Sequence, residues 1–353
     1  MIYRAEPGTL MVFNADDGIT AAVSGKELYS LKKYLETEAQ NEFINRLIDL
    51  KLMPEEISEC ERQELLKEIE KTENISAPVR SFAVPESIHI DITTFCPLKC
   101  PQCYKDLSQD IEMPLGKFFD IIERAKALKV FQIALGGGEP LTVKDLPVFV
   151  KKVTSCKMSC TITTSGYGLT AELLDDLKES GVNHIQVSLN GSTREINSYS
   201  RDGFSEAVSA LNILSKSSVQ FGINWVARRD NVKDFENIVT YAKELKADNI
   251  NILRYKPSVR EDYGKNVLTA NRIFPFHIPK GKRVLQTSMN VRMENINMMK
   301  QRKSVKFLNH FLLIPFLLTQ IVFIRISFFT RCVTNCIVYL KHGPVPRTGY
   351  TII

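Results

Sequence analysis

"SIHIDITTFCPLKCPQCY", residues Ser87 to Tyr104, joins two signals in one stretch. Its first half reads as a strand, and its second half places Cys96, Cys100 and Cys103 within eight positions of the loop that the strand runs into. Downstream the same texture repeats. "GKFFDIIERAKAL" reads as a helix, "FQIALGGGEP" as the next strand, and "KDLPVFVKKVTS" as the helix after it. "SCTITTSG", "HIQVSLNG", "FGINWVARR" and "NINILRY" continue as strands, with "AELLDDLKES", "FSEAVSALNILSK" and "DFENIVTYAKELK" as helices between them. Six such repeats, spaced about 30 residues apart, imply an α/β fold of parallel strands with right-handed crossovers. Periodicity is the same for an open sheet and for a partial or complete barrel, and each places its chemistry at the C-terminal strand ends.

The chain has 353 residues, 44% hydrophobic and 24% charged, enough for one large core or two unequal ones. Its first residues, "MIYRAEPGTL", hold no apolar signal-peptide core, so a reducing, cytoplasmic setting is expected. There a tight cysteine cluster binds metal or does redox chemistry more readily than it forms a disulfide framework. Three thiolates suit a tetrahedral metal ion or one face of a cubane cluster. A fourth would close the site; three leave one metal position open. Structural zinc with a distant fourth ligand, or simply buried thiols, are the alternatives at this point. Of the five histidines the nearest in sequence is His89, roughly 20 Å of extended chain before Cys96 and towards the opposite end of the strand. The pair Cys156 and Cys160 reads as core thiols, and Cys60 as structural or exposed.

Residues 1–53 read as a separate winged-helix-like unit. "TLMVFN" and "ITAAVS" are strand-like runs around Asp17-Gly18, a hairpin signal. Leu28, Leu31 and Leu35 share one helix face, and Phe43, Ile44, Leu47 and Ile48 another. Residues 54–86, charged and carrying Pro54, Pro78 and Pro85, read as a helix and linker, and residues 87–260 as the α/β core.

"CPLKCPQCY" and "GGGEP" (Gly136 to Pro140) together resemble the signature loop and the glycine-rich motif of the radical S-adenosylmethionine (radical SAM) superfamily. The resemblance implies a partial (β/α)6 TIM-like barrel in which Cys96, Cys100 and Cys103 hold a [4Fe-4S] cluster. The open iron would bind S-adenosylmethionine, and one electron would cleave it to a 5'-deoxyadenosyl radical that takes hydrogen from substrate. It implies cofactor contacts at Gly137, Gly138 and Glu139, with the glycines letting backbone approach the methionine amino group. More loosely, "VSLNGS" places Ser188 and Asn190, the latter where aspartate is usual, beside the cofactor. Arg201 in "SYSRDG" is expected to pair with the cofactor carboxylate. Ser165 takes the place of a common asparagine, Gln102 and Tyr104 flank the third cysteine near the adenine, and Asn224 is a candidate ribose contact. No residue is singled out as the final proton or hydrogen donor.

A winged-helix unit before such a barrel resembles the element by which peptide maturases capture a leader peptide through strand addition. The implied partners are a precursor peptide and a reducing donor such as a flavodoxin or ferredoxin. A small cofactor precursor as substrate, or a catalytically inactive peptide-binding homologue, are the competing readings.

Residues 261–353 are different in kind. From Arg272 onward there are 13 Lys and Arg against one acid, Glu294, so the tail is near +12 and the rest near −6 within a net charge of +6. The cysteine-rich SPASM or twitch extension usual in such maturases is replaced by "FLLIPFLLTQIVFIRISFF" and a lone pair, Cys332 and Cys336. A truncated or out-of-frame replacement is expected here, with a membrane anchor as the competitor. Scattered basic charge without a recognition motif gives no expectation of nucleic-acid binding.

Overall fold

The computed structural model describes residues 1–75, 82–105, 109–257 and 264–268, together with four short strands between 284 and 352. Two units make up the chain before residue 268, each with its own apolar core.

The first unit is an antiparallel meander of β1 (Ile2–Glu6), β2 (Thr9–Asn14) and β3 (Ile19–Ser24), followed by α1 (Gly25–Thr37), α2 (Glu42–Asp49) and α3 (Glu59–Asn74). Asn41 caps α2 through the N–H of Ile44, and Ser58 with Glu61 forms a reciprocal capping box on α3. Strand β1 was not expected from the sequence; β2, β3, α1 and α2 were. Leu65 and Ile69 of α3 join Leu10, Val12, Leu31, Leu35 and Leu47 in the core, so the unit continues past residue 53 to the end of that helix.

The second unit carries β4 (Ser87–Thr93), β5 (Gln132–Gly137), β6 (Ser159–Thr164), β7 (His184–Ser188), β8 (Gln220–Ala227) and β9 (Asn249–Arg254), all parallel and paired in chain order. Between them lie α4 (Leu115–Ala127), α5 (Leu146–Ser155), α6 (Ala171–Glu179), the short α7 (Arg194–Ser198), α8 (Phe204–Leu214) and α9 (Phe235–Glu244). Strands β4 and β9 do not pair with each other, so the barrel is partial.

Side-chain alternation gives the sheet two unlike faces. Ile88, Ile90, Ile133, Leu135, Ile162, Ile185, Val187, Ile223, Trp225 and Ile250 are buried in the core shared with the helices. The opposite parity places His89, Asp91, Thr161, Thr163, Gln186, Ser188, Asn224, Asn249 and Asn251 on the concave face. Cys160 is fully buried and Cys156 nearly so, as core thiols, while Cys60 is exposed.

The first unit docks at the N-terminal ends of the barrel strands. Phe13 stacks on Phe131, just before β5, at 5.0 Å between centroids. The Arg4 guanidinium lies 4.2 Å over the same ring and donates to the carbonyls of Pro85 and Lys129. Asn183, just before β7, donates to the Ala15 carbonyl. The cysteine loop is at the other end of the strands.

The region after residue 271, where the sequence showed no alternating pattern, contributes β10 (Val284–Gln286), β11 (Ile324–Ser327), β12 (Asn335–Tyr339) and β13 (Tyr350–Ile352). β11 lies antiparallel on β4, β12 on β9 and β10 on β12, while β13 runs parallel to β3. Most of the apolar stretch 311–329 and Cys332 lie outside the described residues. Among those described, no helix is long and apolar enough to cross a membrane.

Candidate functional site

The loop after β4 is held from several sides. Its entry is fixed by an arm that returns antiparallel: the Thr94 N–H donates to the Ile111 carbonyl and the Ile111 N–H to the Thr94 hydroxyl, both at 2.8 Å. On the β5 side, the N–H groups of Gly138 and Glu139 donate to the carbonyls of Thr93 and Phe95, each at 2.7 Å. From β7 onward, the turn 200–203 supports the loop's middle, with the Gln102 N–H on the Ser200 carbonyl and the Lys99 N–H on Asp202. Leu98 is buried against Gly203, whose φ of +75° and close approach both call for glycine.

Cys96 and Cys100 are half-buried and Cys103 is exposed. Burial pushes the Cys96 thiol up, and the negative groups of Glu139, Cys100 and Cys103 add to this, so the three sulfurs are near enough to feel one another. Among the described residues no three His, Cys, Asp or Glu side chains are gathered as a metal site.

The glycine run lies hard against the cysteine loop. A Cβ on Gly137 would sit 2.2 Å from the Thr93 carbonyl oxygen, and one on Gly138 2.0 Å from that of Phe95. Glycine is needed there so that β5 can lie against the root of the cysteine loop. Glu139 has partners on the neighbouring strand. Its fully buried carboxylate accepts from the Leu141 N–H, the Thr164 hydroxyl at 2.6 Å, the Ser165 N–H at 2.8 Å and the Ser165 hydroxyl. Those contacts tie β5 to the end of β6 and occupy the Ser165 hydroxyl as well.

Asn190 is likewise a structural hub. Its side-chain amide donates to the Ser200 hydroxyl and accepts from the Val226 N–H, while its carbonyl accepts from Trp225 and Asn231. These bonds fix the buried amide in place and use one of its two N–H donors and one of its two oxygen lone pairs. The Asn224 oxygen accepts from Asn251. Ser188 is buried at the end of β7, beside Asn224, and Tyr104 is exposed.

Two expected residues do carry unused capacity. Arg201 Nε and Gln102 Oε1 are buried and have no partner among the described residues, and the Gln102 N–H donates to the carbonyl of Ser200, the residue before Arg201. One donor and one acceptor beside the thiols suit a ligand that carries both a carboxylate and an ammonium group, as an amino acid does.

The sequence reading missed the concave face. The Asp91 carboxylate there receives Lys105 Nζ at 2.7 Å and lies 3.1 Å from His89 Nε2. Burial opposes its charge, but the His89 contact and the Lys105 ammonium outweigh this and hold the carboxyl below its ordinary range. His89 is thus one partner away from the cysteine loop, because the arm leaving Cys103 comes back down to Asp91. Deeper, fully buried His184, its pKa pushed down to about 4 by burial, lies 3.1 Å from Asn249 Nδ2. Asn249 Oδ1 accepts from Gln186 Nε2 at 2.8 Å. Gln186 Oε1 and Asn251 Oδ1 remain as buried acceptors without a donor among the described residues. The signal was present as polar residues at alternate positions of "HIDI", "HIQVS" and "NINIL".

The site is thus an open β/α barrel with three thiols on the loop after its first strand, at the strand C-termini, braced by a glycine run after the second. Residues 90–242 match the profile of the Radical SAM superfamily. Enzymes of that superfamily use a [4Fe-4S] cluster and S-adenosylmethionine. Among solved structures, Streptococcus suis SuiB bound to its precursor peptide SuiA is similar at 17% identity, over 72% of this chain and 64% of that one, with a TM-score of 0.50. SuiB bound to S-adenosylmethionine is similar at 18% identity, over 70% and 62%, with a TM-score of 0.51. The likeness is one of fold, and the chain spans less than two thirds of the length of these structures.

Proposed function

We propose that this chain is a radical SAM enzyme that modifies a ribosomally made peptide. The observation that carries the first part is the braced three-thiol loop together with Arg201 Nε and Gln102 Oε1, buried atoms that have no partner among the described residues. Cys96, Cys100 and Cys103 hold the cluster. Arg201 receives the carboxylate of S-adenosylmethionine, and Gln102 its ammonium group. When bound, the reduced cluster supplies one-electron cleavage of S-adenosylmethionine and hence hydrogen-atom abstraction.

The chain's own residues set the frame for that chemistry. Glu139 locks Ser165 and the end of β6 in place, and Asn190 fixes the turn that carries Ser200 and Arg201. Ser188 and Asn224 border the cofactor, and the exposed Tyr104 and Gln102 backbone flank its adenine. Gln186 and Asn251 present two acceptors to a substrate group that brings N–H or O–H donors.

The peptide part rests on the first unit, whose meander and three helices suit capture by strand addition. It is supported by the fold likeness to SuiB, a protein solved with its precursor peptide. Because β13 lies along β3, a peptide adding there displaces a strand of three residues. The donor of the electron is a reduced flavodoxin or ferredoxin, and the setting is cytoplasmic.

Anaerobic reconstitution with iron and sulfide, then reduction with S-adenosylmethionine and assay of 5'-deoxyadenosine, tests this function. Product from the native loop, and none from the Cys96→Ala/Cys100→Ala/Cys103→Ala chain, is the expected result. Zinc in place of iron, or a cluster that gives no product, overturns it.

A further inference from the structure

We propose that Asp91 is a positioning residue whose ion pair with Lys105 latches the cysteine loop shut before any cluster binds. The proposal rests on the cluster-binding role of Cys96, Cys100 and Cys103. The loop's entry arm and middle are fastened by backbone hydrogen bonds to residues 93–95, 111 and 200. The arm leaving Cys103, the most exposed of the three thiols, is fastened through a side chain: Lys105 Nζ reaches back across the strand end to Asp91 Oδ2 at 2.7 Å.

Both partners are sheltered, with side chains 21% and 19% exposed, so water competes with the pair far less than at an open surface. Asp91 is itself held in place. Its other oxygen lies 3.1 Å from His89 Nε2, and the imidazole occupies the space beside Gly136, where any Cβ would come within 2.5 Å of it. The carboxylate therefore faces the returning lysine with its direction set by the sheet. Three thiols must be held together in one loop before iron arrives. A side-chain tie to the rigid β4 limits the loop's freedom and spares part of the ordering cost of cluster assembly.

The test compares the wild-type chain with Asp91→Asn, Asp91→Glu and the exchanged pair Asp91→Lys/Lys105→Asp. The apo chains are alkylated with a maleimide and the rates followed peptide by peptide in mass spectrometry. The reconstituted chains are challenged with a ferrous chelator and iron release is timed. The expected result for Asp91→Asn is alkylation of Cys103 about three- to tenfold faster, with buried Cys160 unchanged as the folding control, and iron release accelerated by a similar factor. Asp91→Glu and the exchanged pair recover most of the difference, and added salt narrows it. Wild-type rates in Asp91→Asn, in either assay, overturn the latch. Equal loss in Asp91→Glu and Asp91→Asn also overturns it, since a packing role alone would give that. If the wild-type chain takes up no iron, the cluster reading fails separately, and the alkylation rates still decide the latch.

Discussion

Replacing Gly138 by alanine puts a methyl carbon 2.0 Å from the carbonyl oxygen of Phe95. An ordinary carbon–oxygen contact is about 3.3 Å, so one backbone or the other must move by more than 1 Å. The obstacle is main chain, and no rotamer change relieves it. The neighbouring hydrogen bonds, Gly138 N–H to Thr93 and Glu139 N–H to Phe95, each 2.7 Å, are the first to stretch. Losing two backbone hydrogen bonds costs about 1 kcal/mol each, and overpacking adds about 1–3 kcal/mol, for a total near 3–5 kcal/mol. The expected outcome is a lowered denaturant midpoint with an unchanged slope, together with a clear drop in iron bound per chain after reconstitution. Gly116, whose Cβ would meet nothing within 4 Å, supplies the control as Gly116→Ala. If Gly138→Ala matches wild type in both midpoint and iron content, the glycine run does not brace the loop in the way argued.

Other outcomes follow from the same contacts. His184 titrates near 4 in the folded chain against an ordinary 6.5, so its stabilising contribution is complete above about pH 6.5 and is lost as pH falls towards 4. Denaturant midpoints at pH 7 and pH 5 should differ less in His184→Gln than in wild type, and an unchanged difference would count against the assignment. Phe131→Ala removes the ring on which both Phe13 and Arg4 rest, at a cost of about 3 kcal/mol or more. Faster limited proteolysis between residues 75 and 86, with the barrel core left intact, is the expected signature. Cys160→Ala should leave iron content at the wild-type level, because the thiol is fully buried in the helix-facing core; reduced iron would make it a ligand.

The alternation from Ser87 onward, the Asp17-Gly18 hairpin and the spacing of Cys96, Cys100 and Cys103 are local patterns. They were legible because strand period, turn chemistry and ligand spacing are each decided within a few residues. Strand β1 was not, since "IYRAE" becomes a strand only by pairing with β2, whose register no local signal carries. The site divides in the same way. Its cysteines were visible in the sequence, but the hydrogen-bond partners of Glu139, Asn190 and Asn224 were not, because they lie far along the chain. Glu139 spends its carboxylate on Thr164 and Ser165, Asn190 accepts from Val226, and Asn224 accepts from Asn251.

Sequence by itself determined an α/β chain with three thiols at the end of its first barrel strand and glycines at the end of its second. Tertiary structure alone decided why those glycines are there, which polar side chains were left with unused capacity, and that Lys105 returns to Asp91 beside His89. The physical reason is that a polar group's function depends on what remains after its hydrogen bonds are satisfied. In a parallel sheet those bonds come from neighbouring strands separated by a whole helix of sequence.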